Sequence, residues 1–131
     1  RVMAWPLATC PRKGGRPTRL LLAIVRRHLR TLRFGLDPAY PDEDWGFTAQ
    51  QVVEKLLKAW IVLGDRQPPR LHDLENLALL AGQPLDSRLA ALQVFAVEAR
   101  YEAGPFALPT ERAPLLDLLE AELERCEQAV D

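Results

Sequence analysis

A chain of 131 residues, 48% of them apolar, has the length of one domain and enough hydrophobic material to bury a core, so disorder is not the default reading. Its formal net charge of −1 hides a lopsided distribution: residues 1 to 36 hold nine of the 17 basic groups and no acid, and all 18 acids follow. The longest apolar run, Leu20 to Val25, falls far short of the roughly 20 residues of a membrane span, and Cys10 and Cys126 sit too far apart for a metal pair or a disulfide framework. These are the traits of a reduced, cytoplasmic protein.

Residues 1–17 are punctuated by Pro6, Pro11, Gly14, Gly15 and Pro17 and show no period, which predicts a basic, flexible arm ahead of a domain over 18–131. The arm lacks a hydrophobic segment of signal-peptide length, so export is not expected. Its Trp5 is a candidate partner anchor. A first helix is predicted from Thr18, as N-cap, to about Phe34, with Leu21, Leu22, Val25, Leu29 and Leu32 as its buried stripe. Its arginines fall on another side, where they either face an anionic partner or pair with acidic helices of the same fold; the second is favoured, because charge runs on helix faces are usually solvated or paired, and no aromatic interleaving or reading helix marks a nucleic-acid motif.

Residues 35–46, GLDPAYPDEDWG, read as a loop. Its Asp42, Glu43 and Asp44 suit a solvated turn ahead of the next helix better than a metal site. A second helix is predicted from Thr48 to Leu63, stopped by Gly64, with an apolar arc so wide (Val52, Val53, Leu56, Leu57, Trp60, Ile61, Leu63) that it must be central. Trp60 is expected in the core and Trp45 as a lid on the bundle end.

Pro68 and Pro69 break the chain. A third helix follows from near Leu71 to Gly82, and a fourth from an Asp86 cap to Gly104, burying Leu89, Leu92, Phe95, Ala96 and Ala99. The last begins near Glu111, with Pro114 in its first turn, and carries Leu116, Leu119, Leu123, Cys126 and Val130 at seam spacing. Five helices and no strand pattern predict an all-α, mostly up-and-down antiparallel bundle.

Three segments in order, Gln50-Gln51-x-x-Glu54-Lys55-x-x-Lys58-Ala59, Pro69-x-x-His72-Asp73-Leu74-x-x-Leu77 and Ala99-Arg100-Tyr101-Glu102, resemble the HEPN domain family, over roughly residues 18 to 130. In the first helix His28 stands where that family commonly has an Asp. The resemblance implies a helical bundle, often a homodimer, that partners a minimal nucleotidyltransferase in two-component or toxin-antitoxin-type systems. A second branch of the family cleaves RNA with an Arg followed four to six residues later by a His.

Arg66 and His72 meet that spacing, but Pro68 and Pro69 between them prevent one helix from presenting both on one face. The arginine would stabilise developing phosphorane charge and the histidine would move the proton. The favoured expectation is a non-catalytic subunit needing no cofactor or metal, in which Lys55, Lys58, His72, Asp73, Arg100 and Tyr101 border a groove for a nucleotide phosphate or an acidic partner. The quieter reading is structural: His72 and Asp73 fix the turn at the start of the third helix, and Arg100 and Tyr101 close the fourth. A ligand-free helical scaffold is the remaining alternative.

Overall fold

The structure is a computed structural model describing residues 15–130, apart from the side chains of Ala99 and Arg100; residues 1–14 of the arm predicted over 1–17, with Trp5 and Cys10, lie outside the described residues. Its helices are α1 (Gly15–Phe34), α2 (Asp42–Leu63), α3 (Leu74–Ala81), α4 (Ser87–Ala90), a 3-10 segment (Ala91–Phe95), α5 (Glu98–Tyr101) and α6 (Arg112–Val130). Among the described residues there is no strand, and none of these helices is long and apolar enough to cross a membrane. The fold is an all-α bundle.

The wide apolar arc of α2 makes it the central helix, packed against α1, α3, the 3-10 segment and α6. Leu22, Val25, Leu29 and Leu32 of α1 are buried with Val52, Val53, Leu56, Leu57 and Ile61 of α2, and Leu115, Leu116, Leu119 and Cys126 of α6 complete the core. Burial pushes the Cys126 thiol up to about 11, which leaves it a packing group rather than a nucleophile. Two ion pairs set the direction of α6: Arg26 meets Glu127 and Arg33 meets Glu120. Moving forward along α1 therefore means moving back along α6, so these two helices are antiparallel.

Several boundaries differ from the sequence reading. Helix α1 begins at Gly15, with Pro17 tolerated near its start, so Thr18 lies inside the helix and buried instead of capping it. Helix α2 begins at Asp42, ahead of Thr48, and the acidic trio is its first turn, where carboxylates are favoured by the helix dipole. Gly46, the last residue of the loop predicted over 35–46, is a close-approach site inside α2: a Cβ there would lie 2.6 Å from the Phe95 ring. The tryptophans exchange roles. Trp45 is fully buried, its Nε1–H donating to the Leu32 carbonyl at 3.0 Å, whereas Trp60 is half-buried beneath the Arg125 guanidinium, 5.1 Å from the ring centroid.

Helix α3 starts at Leu74, not Leu71, and ends in the left-handed conformation that Gly82 supplies, at φ 65°. The predicted fourth helix is broken into α4, the 3-10 segment and α5. Local period gives way there to tertiary demands: Phe95 packs over Gly46, and the Gln93 Oε1 accepts the Leu74 backbone N–H at 2.7 Å, satisfying an amide at the start of α3.

Candidate functional site

Side chains four apart on a helix stack along one face, and in α2 this aligns Gln50, Glu54 and Lys58, with Gln51 and Lys55 beside them. Gln50 and Glu54 are buried, Glu54 to 1% exposure. A buried carboxylate is tolerated only when hydrogen-bonded and paired. Glu54 is both.

Lys58 Nζ donates to Glu54 Oε2 at 3.1 Å, and Gln50 Nε2 and Gln51 Nε2 donate to Oε1 at 3.2 and 3.4 Å. Lys55 Nζ lies 3.8 Å from Oε2 and bonds to Gln51 Oε1 at 3.1 Å. Across the chain turn, His72 Nδ1 lies 3.1 and 3.0 Å from the two carboxylate oxygens. Because an ionised carboxylate only accepts, this contact requires the proton on Nδ1 and leaves Nε2 as the other end of the ring. The His72 side chain is 68% exposed, so a buried anion holds a histidine that solvent and ligands can reach.

Burial pushes the Glu54 carboxyl up, but the hydrogen bonds from Lys58, His72 and Gln50 and the charge of Lys58 outweigh it and hold its pKa below the ordinary glutamate value. One carboxylate against two lysines leaves the cluster a surplus of one positive charge with His72 neutral. On the α1 side lies His28, its pKa lowered by burial, then by the charges of Arg27 and Lys55. His28 is therefore neutral near pH 7 and marks where α1 borders the cluster.

The structure brings Lys55, Lys58 and His72 together and gives Asp73 and Arg66 separate duties. Asp73 caps α3: its Oδ1 accepts the backbone N–H groups of Glu75 and Asn76 at 3.0 and 3.2 Å. Arg66 Nη1 donates to the Leu80 carbonyl at 3.0 Å, near the far end of α3. Leu80 lies seven residues past Asp73, about 10 Å along the axis, so within one chain Arg66 is drawn away from His72. Tyr101 is exposed in α5, and the side chain of Arg100 lies outside the described residues.

The acidic trio is spread over different partners. Asp42 Oδ1 accepts from Arg112 at 2.6 Å, Glu43 Oε2 accepts the Phe106 N–H at 3.4 Å, and Asp44 is exposed. Among the described residues no group of three or more His, Cys, Asp or Glu side chains is placed to hold a metal ion. Arg112 also donates to the carbonyls of Gly35, Asp37 and Tyr40, so it fastens the α1–α2 loop to the start of α6. The open concavity there is lined by Leu36, Pro38 and Leu108 together with the paired Asp42 and Arg112.

The residue that sequence reasoning passed over is Glu54, together with Gln50. A signal was present. On a helical wheel Glu54 falls about 20° beyond Ile61, at the edge of the arc that the core requires. Polar groups at such positions must find partners. Residues 41–130, which hold this whole cluster, match the family model described as HEPN domain. Comparison with curated proteins and with solved structures gives no match.

Proposed function

For a chain that belongs to the HEPN domain family, we propose a non-catalytic binding role: a homodimeric subunit that admits a nucleotide phosphate beside His72 and partners a minimal nucleotidyltransferase. One observation supports this reading above others. Glu54 consumes only part of the positive charge gathered around it, and the groups left over, Lys55, Lys58 and His72, are those that solvent reaches. Lysine ammonium groups bind phosphate oxygens well, and the His72 ring adds an Nε2–H donor when it carries a second proton, while the Glu54 anion fixes their positions. Asp73 and Arg66 stay outside this role, since both are engaged in ordering the ends of α3.

The test is a thermal shift with about 1 mM ATP, which raises Tm if it binds the native state. The expected result is a rise in the wild type that is lost in Lys58→Ala and His72→Ala. Coexpression with an adjacent reading frame bearing a nucleotidyltransferase Gly-Ser and paired-Asp signature should yield a stable complex. No shift with any nucleoside triphosphate, and no complex, would overturn the reading.

The second reading, RNA cleavage, is favoured by the Glu54–His72 hydrogen bond, because a carboxylate on Nδ1 orients Nε2 as a proton acceptor. It requires Arg66 to leave the Leu80 carbonyl and approach the reacting phosphate. Purified protein would then degrade RNA, and Arg66→Ala and His72→Ala would each abolish cleavage.

A further inference from the structure

We infer that the solvent face of α1 is a docking surface for single-stranded nucleic acid, held through its phosphodiester backbone. This goes beyond the proposed role of the Glu54 cluster and does not rest on it. Helix α1 lies wholly outside the matched residues 41–130.

Helix α1 has 20 residues, six arginines and no acid. The structure sorts those arginines into two sets. Arg26 and Arg33 pair with Glu127 and Glu120 of α6. Arg16, Arg19, Arg27 and Arg30 are exposed, and their side chains form no ion pair or hydrogen bond among the described residues. At 3.6 residues per turn the second set falls within an arc of about 80° and runs about 21 Å along the axis. Ala23 lies in the middle of that arc and keeps it low, so an extended polymer can approach the helix closely.

Charge of this density calls for a polyanion, and guanidinium groups bind phosphate oxygens through paired N–H donors. At about 3.4 Å of rise per nucleotide along one strand, the row matches about six phosphates. Phe34 selects the single strand. It is 83% exposed, one turn beyond Arg30 on the same arc, and an exposed ring offers a stacking platform that only an unpaired base can use.

A bilayer is a poor fit, because Leu22, Val25, Leu29 and Leu32 are committed to the core, and the outward apolar residues Leu20 and Phe34 are interleaved with arginines. A protein partner usually needs a pocketed anchor. The concavities at the α1–α2 loop and at the α3–α4 junction lie off this arc.

The experiment is fluorescence anisotropy of the whole chain with a labelled single-stranded RNA homopolymer, across a salt series. Four phosphate contacts predict a slope of log K against log salt of roughly −3. The variant Arg27→Glu/Arg30→Glu should lose at least ~10-fold in affinity, and Phe34→Ala should weaken binding without changing the slope. Arg26→Gln/Arg33→Gln and His72→Ala should bind like the wild type. Circular dichroism confirms that each variant is folded. Absence of binding at about 50 mM salt, indifference to the double charge reversal, loss in His72→Ala, or stronger binding to duplex RNA, poly-glutamate or anionic vesicles would each overturn the proposal.

Discussion

Two regions of this molecule use the same chemistry, a carboxylate joined to cations, under opposite conditions. Between α1 and α6 the pairs Arg26–Glu127 and Arg33–Glu120 stand in solvent, with the arginine side chains 48% and 61% exposed. Around α2 a single carboxylate at 1% exposure gathers Lys58, Lys55, Gln50 and His72. Water screens the first set and competes for it, so each pair contributes little. The Glu54 carboxylate has no water to fall back on, so it depends on every partner it gathers. The lesson is that the site and the stability of the α2–α3 junction are the same object, while the α1–α6 pairs mainly set register.

That contrast breaks most visibly at Glu54. Glu54→Ala should destabilise the fold by about 3 kcal/mol, since two partly buried lysines lose their counter-ion, and should lower Tm by roughly 10 °C. Loss of less than about 1 kcal/mol would place Glu54 with the surface pairs. The same group carries a pH dependence. Its folded pKa lies below its unfolded one, so its contribution is complete above the ordinary glutamate range and fades as pH falls through the lower folded value. Stability should therefore rise with pH across that acidic window, and Glu54→Gln should remove this part of the slope.

The smallest effect belongs to the other region. Arg26→Gln and Arg33→Gln should each cost less than about 0.5 kcal/mol in urea unfolding, add independently, and shrink further in high salt. A larger or salt-insensitive cost would erase the distinction between the two interfaces.

The helices were legible in the sequence because their apolar stripes repeat at helical spacing and the described residues of those stripes are buried or partly buried. What escaped was set by contacts distant in sequence. Gly46 reads locally as a turn residue, yet it lies inside α2 because the Phe95 ring needs the space. The run from Ser87 to Tyr101 has one helical period, but Gln93 and Phe95 are held by α3 and α2, and the helix breaks around them. Trp45 sits beside three acids and so looks superficial, whereas its neighbours form only the first turn of a helix whose next residues enter the core.

The site was half legible. Lys55, Lys58 and His72 stood out as charged or titratable groups near a proline turn, and the turn does bring them together. Glu54 stood only as one letter of the resembling segment, although its place on the wheel, about 20° beyond Ile61, puts it at the edge of the buried arc. Arg66 matched a spacing but not a location, because the extended stretch after Gly64 lets its side chain reach the Leu80 carbonyl instead of His72.

The most direct test of the account is the protonation pattern of the His72 ring, read from nitrogen-detected two-bond correlations in its neutral form, with His72→Ala used for assignment. A Glu54 carboxylate in contact with Nδ1 requires the Nδ1–H tautomer to dominate, and in Glu54→Ala that preference should vanish. A His72 that carries its proton on Nε2 in the wild type, unchanged by the loss of Glu54, would contradict a buried anion holding the exposed histidine.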